Sequence, residues 1–144
     1  MGTGDMLNIK GEDNMPKIEV GFPEGKKVSA NIKGFTIVTD QPVDEGGEGM
    51  VASPFDLFLS SIATCTGFYA LRFCESKDID MEGMKLVLNT EKNPDTGMIG
   101  RMELKLTLPE GFPEKYRKAI IRSMNLCTVK KHMMDPPEFE ITAE

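Results

Sequence analysis

The chain has 144 residues and a formal net charge of −6, with 40% of residues hydrophobic and 28% charged. A chain of that size buries a core without disulfide or metal staples, and its composition is that of a soluble globular protein rather than a disordered one. Its acidity excludes a general phosphate-backbone binder, so no nucleic acid partner is expected.

Residues 1–15 are polar, carry no secretory pattern, and read as a flexible N-terminus ahead of a single domain over 16–144. The longest uncharged stretch, Leu57–Leu71, has 15 residues, short for a membrane span, so no membrane partner is expected. Three cysteines, an odd number without an export signal, read as thiols in a reducing, cytoplasmic compartment.

In chain order, Pro16–Val20, Lys27–Ile32 and Phe35–Thr39 are predicted strands. The first two alternate apolar and polar residues, and Gly21–Gly25 and Lys33-Gly34 supply the turns. Residues 41–51 form a loop rich in glycine and acid. A helix is predicted from Pro54 to about Ser76. Ser53 caps it, Pro54 suits the first helical position, and Asp56 completes an S-x-x-D capping box. This segment is apolar on nearly every face, and such a helix must be covered all round. One subunit of this size would struggle to do so, which predicts a partner subunit.

Met84–Thr90 and Arg101–Leu108 read as a hairpin across Asn93–Gly97, the second strand alternating strictly. Pro113 opens a second helix whose apolar face holds Tyr116, Ala119, Ile120 and Met124, and Cys127 too if the helix runs that far. Thr128–Met134 reads as a further helical turn stopped by Pro136-Pro137. Glu138–Ala143 is predicted to close the sheet as a last strand. Strands, long helix, hairpin, helix and strand make an α+β chain.

On the residues alone, Cys65 reads first as a small buried filler, since mid-helix it lies beyond the reach of the helix dipole. Cys127 falls where one helix ends and another turn begins, with Lys130, Lys131 and His132 close behind, a better setting for a lowered thiol pKa. Cys74 lies nine residues after Cys65, about two and a half turns, so their sulfurs face opposite sides. It reads as structural. His132 is the only histidine. No metal site is expected, and tuning of Cys127 is its one candidate role. Dinucleotide, P-loop and nucleophile-elbow motifs are absent, and no cofactor is expected.

Three segments taken together resemble the OsmC/Ohr family. Ser53-Pro-Phe-Asp-Leu-Phe-Leu-Ser-Ser-Ile-Ala-Thr-Cys65 is similar to its (S/T)-P-x-E-L-x-L-x-x-x-x-x-C signature. Asn125-Leu-Cys-Thr-Val-Lys-Lys-His132 is similar to its second cysteine motif, C-x-V-x-x. Thr39-Asp-Gln-Pro-Val-Asp-Glu-Gly-Gly47 resembles the D-x-P-x-x-x-G-G stretch of one OsmC-like subgroup. The resemblance implies curved antiparallel sheets around long central helices in an intertwined homodimer. It also implies oxidative-stress (antioxidant) peroxidase chemistry. Cys65 would attack a hydroperoxide, Cys127 would resolve the sulfenic acid as a disulfide, and an external dithiol would restore both.

Two positions depart from the family pattern. Where peroxidase members carry a glutamate after the motif proline, this chain has Phe55, with the carboxylate one residue later at Asp56. The activating arginine of the N-terminal strands is missing, since residues 1–50 contain no arginine. Lys26 or Lys27 could supply charge but not a planar fork. Two alternatives therefore stand beside a peroxide reductase: a dimeric binder of a small hydrophobic ligand, and thiol chemistry on a disulfide or persulfide.

Overall fold

The computed structural model describes residues 15–144. The expected flexible N-terminus, residues 1–15, lies outside the described residues except for Met15. By internal contacts the chain divides into two compact units, one ending at Leu57 and the other running from Phe58 to Glu144.

In the first unit, β1 (Glu19–Gly21), β2 (Val28–Ile32) and β3 (Phe35–Thr39) form an antiparallel meander in the order β1-β2-β3. Ile32 pairs with Phe35, so Lys33 and Gly34 alone make the turn. Their φ values of 50° and 83° are those of the tight hairpin turn whose twist matches its strands. The predicted first strand begins later than expected, at Glu19.

Helix α1 spans Pro54–Ser76, the predicted range. Its start is the predicted reciprocal cap: Ser53 N–H donates to Asp56 Oδ2 at 2.9 Å, and Asp56 N–H donates to Ser53 Oγ at 3.1 Å. Two donors that the helix cannot pair internally are thereby satisfied. By length and composition alone α1 is also long and apolar enough to cross a membrane, and 22% of its most apolar window is buried within the chain.

In the second unit, β4 (Lys85–Lys92) and β5 (Ile99–Thr107) form an antiparallel hairpin. Leu86 pairs with Leu106 and Leu88 with Leu104, so the alternation puts leucines on one face. The register shifts near the turn: Glu91 pairs with Arg101 and Lys92 with Ile99, which leaves Gly100 as the bulge. A Cβ there would lie 3.0 Å from that of Asn93. Helices α2 (Arg117–Met124) and α3 (Thr128–Met134) follow. The buried residues of α1 (Ile62, Thr66, Ala70 and Cys74) recur every four positions. Ala70 and Cys74 meet Ile120 and Met124 of α2 in the core, with Leu86, Leu106 and Phe112 packed around them.

Two expectations are corrected. Pro113 opens a 3-10 turn, Glu114–Tyr116, and α2 ends at Met124, so Cys127 does not extend its apolar face. Glu138–Ala143 forms no strand. Its Phe139 and Ile141 are 85% and 95% exposed. Alternation provides a face, but a strand exists only where a neighbouring edge accepts its hydrogen bonds, and none among the described residues does.

Ile120 is fully buried at the centre of the second unit's core. Ile120→Ala should cost about 2–5 kcal/mol by loss of contacts and the cavity left behind, measured as a shift in the denaturant midpoint at constant slope.

Candidate thiol site

Cys127 becomes the N-cap of α3, with φ −47° and ψ 118°, and its Sγ accepts the Lys130 N–H at 3.5 Å. Its side chain is fully buried, whereas Cys65 on α1 is half-buried. Burial pushes the Cys127 thiol up, but the groups facing its sulfur outweigh that. The Lys130 N–H, the Thr66 hydroxyl, the Cys65 thiol and the Val129 N–H together hold it below the ordinary value of 9.0. Cys65 and Cys127, 62 residues apart in sequence, are thus brought to one point.

Thr66 sits on the buried stripe of α1, where its Oγ1 donates to the Ile62 carbonyl at 2.7 Å. It has one proton, so stabilising a Cys127 thiolate requires the hydroxyl to turn from that carbonyl toward the sulfur. Two further contacts hold the cysteine-bearing turn against α1. Tyr69 Oη and Thr128 Oγ1 lie 3.1 Å apart, and Ser123 Oγ donates to the Tyr69 carbonyl at 3.2 Å. Thr66, Tyr69 and Ser123 were not singled out from sequence. Thr66 left one trace there, a polar residue on the i, i+4 stripe that is otherwise apolar.

Cys74 is fully buried, with its Sγ 3.9 Å from Met84 Sδ. Burial alone raises its thiol pKa, as suits an inert core cysteine. The His132 ring is engaged on its own helix, where its Nδ1 lies 2.7 Å from the Thr128 carbonyl. No cluster of three His, Cys, Asp or Glu among the described residues is placed to hold a metal.

In the first unit the remaining candidates are committed locally. Lys27 Nζ lies 3.2 Å from Glu48 and 3.8 Å from Glu24, and the Glu48 carboxylate holds its pKa above the lysine norm. The Lys26 stem lies against Gly46. Asp56 serves the helix cap, and Phe55 is 54% exposed. Asp40, 1% exposed, organises the glycine-rich loop. Its carboxylate accepts N–H groups from Gln41 at 2.8 Å and Glu48 at 2.9 Å, and the Glu48 bond is first among the causes that hold its pKa below 3.8. A Cβ on Gly47 would collide with the Gln41 carbonyl. The D-x-P-x-x-x-G-G stretch is therefore a folded loop with an internal carboxylate.

The Cys127 environment predicts a pH effect of definite sign. A depressed folded pKa makes the thiolate a stabilising species that is lost as pH falls through that value. Thr66→Val, which removes one of the donors, should move the ultraviolet thiolate titration of Cys127 to higher pH in a Cys65→Ser, Cys74→Ser background. An unmoved titration would show that Thr66 contributes nothing to that sulfur.

Comparison with known proteins places the chain in a family. Residues 47–142 match the OsmC-like protein family, while no curated protein matches the chain. A Psychrobacter arcticus 273-4 protein, described as an osmotic stress induced and detoxification response protein, superposes with a TM-score of 0.68 at 24% identity. That alignment covers 87% of this chain and 90% of that one. The OsmC-like protein of Mycoplasma pneumoniae gives 0.65 at 16% identity, covering 85% and 89%. An organic hydroperoxide resistance protein of Elizabethkingia anophelis, with thiocyanate bound, gives 0.55 at 16% identity, covering 82% and 89%. With a family match over two thirds of its length and the α+β fold of these structures, the chain belongs to the OsmC-like protein family.

Proposed function

We propose that this protein is a cytoplasmic, homodimeric thiol peroxidase in which residues 16–144 work as one domain and Cys65 and Cys127 reduce organic or hydrogen peroxides in oxidative-stress defence. The observation that carries the reading is the pairing of a half-buried Cys65 with a buried Cys127 whose surroundings favour the thiolate. The Elizabethkingia neighbour, an organic hydroperoxide resistance protein, supports the substrate class. Three free thiols suit a reducing compartment.

The chemistry divides by access. Cys65, the more exposed sulfur, attacks the terminal peroxide oxygen. An S–O bond forms, the O–O bond breaks, and the alcohol leaves with a proton. Cys127 then attacks the Cys65 sulfenic acid, forming S–S and releasing water. An external dithiol returns both thiols by two exchange steps, so that peroxide and dithiol become alcohol, water and disulfide. A thiolate-favouring site for the second cysteine speeds the trapping step and limits over-oxidation.

The dimer rests on α1. Phe68, opposite the buried stripe, is 52% exposed, and Leu71, at its flank, is 37% exposed. Covering such side chains is worth about 25 cal/mol per Å², and a second copy is the economical cover.

A specific observation also favours the binding-protein reading. No arginine precedes position 51, and Lys27 is engaged by Glu24 and Glu48, so no guanidinium from that part of the chain can activate Cys65.

Titration of the reduced protein with cumene hydroperoxide separates the two. The expected result is loss of two thiols per chain, a Cys65–Cys127 link in peptide maps made without reductant, reversal by a dithiol, and a free Cys74. Unchanged thiols at stoichiometric peroxide would leave the ligand-binding reading in its place. Independently, sedimentation at micromolar concentration should give about twice the 15.9 kDa chain mass, and a folded monomer there would remove the dimer.

A further inference from the structure

A cavity of about 340 Å³ opens beside α2 and β5 within the second unit, inside the size range of small-molecule sites. Much of its lining is apolar, including Leu106, Ile120, Ile121 and Met124. Lys105, Arg117 and Lys130 also line it, and no carboxylate does. The chain as a whole has 23 acidic residues against 17 basic ones, so three cations without an acid run against its composition.

The cations are incompletely neutralised. Arg117 gives its Nε–H to Glu114 at 3.0 and 3.1 Å, and its terminal amino groups have no hydrogen-bond partner among the described residues. Lys130 Nζ donates to a neutral amide oxygen, Asn125 Oδ1, at 2.6 Å. Lys105 has no ion-pair partner among the described residues. Like charges that line one cavity without an acid repel one another, and an anion there relieves the repulsion. A guanidinium with free amino groups suits a planar carboxylate, and the apolar lining suits a hydrocarbon body behind it.

We propose that this cavity binds an amphipathic carboxylate, its head among Lys105, Arg117 and Lys130 and its apolar body along Ile120, Ile121 and Met124. The inference does not rest on peroxide chemistry. It does touch the thiol site, because Thr66 and Lys130, both neighbours of the Cys127 sulfur, also line the cavity. A bound anion beside them opposes formation of the Cys127 thiolate, so occupancy would slow the thiol pair.

The test uses the intact reduced protein and three probes: decanoate, decanol and inorganic phosphate. Decanoate should shift the methyl resonances of Ile120, Ile121 and Met124 and bind about tenfold more tightly than decanol, the worth of one charged contact. Phosphate alone should leave those methyls unmoved. Lys105→Gln with Arg117→Gln should weaken decanoate about tenfold without changing decanol binding. If that variant fails to fold, Lys105→Gln alone and a salt series on the unaltered protein read the same charge contribution. Equal binding of decanol and decanoate would overturn the proposal, as would decanoate binding indifferent to the substitutions and to salt. Methyl shifts produced by phosphate alone would reduce the site to an anion patch. Absence of any shift, the result expected if a second copy fills the cavity, would also overturn it.

Discussion

Helix α1 presents apolar side chains around its circumference, and a single chain covers only one stripe of them. Ile62, Thr66, Ala70 and Cys74 turn inward at four-residue intervals, while Phe68 and Leu71 remain in contact with solvent. The hydrophobic cost of that second face grows with its area, so the helix that forms the core also makes a demand on whatever lies outside it. A mid-helix Cys65 sits between the two regimes, neither sealed in the core nor openly exposed. That intermediate position leaves the residue partly open to solvent.

The second cysteine obtains its character from a chain reversal. Because α2 stops at Met124 and α3 starts after Cys127, the sulfur falls where unpaired helix N–H groups converge. Burial alone would have made this thiol as inert as Cys74. The contrast between the two buried cysteines therefore lies in their donors. One meets a thioether, the other meets two backbone amides, a hydroxyl and a thiol. Ser123 and Tyr69 add the mechanical part by tying the reversal to α1, one turn beyond Cys65.

The glycine-rich loop before α1 shows the same economy of polar groups. Asp40 N–H bonds the Ala52 carbonyl at 3.3 Å, closing the base of the loop, while its carboxylate gathers amides from inside. Gly47 is required because the Gln41 carbonyl occupies the space a side chain would need. The loop thus ends at Ser53 with the cap already in register for the helix. Lys27 joins this arrangement through Glu48, so its charge is committed to holding the loop.

Much of this was legible in the residues. Ser53 and Asp56 announced the start of α1, because a cap is a local hydrogen-bond pattern written in four consecutive positions. The β4–β5 alternation foretold which leucines face inward, since strand side chains alternate with a period of two. The separation of Cys65 from Cys74 followed from helix geometry alone. Contacts between distant segments were not legible from the residues themselves. Only a family resemblance, and no local pattern, joined Cys65 to Cys127. The Thr66 hydroxyl at that sulfur, the Tyr69–Thr128 tie and the meeting of Lys105, Arg117 and Lys130 at one cavity arise from how α1, β5, α2 and α3 pack. The strand expected at Glu138–Ala143 failed for the same reason. Periodicity and capping are properties of neighbouring residues, which the sequence states on its own. A hydrogen-bond partner, a lowered thiol pKa or a paired edge depends on what packing brings close, and the tertiary structure alone decides that.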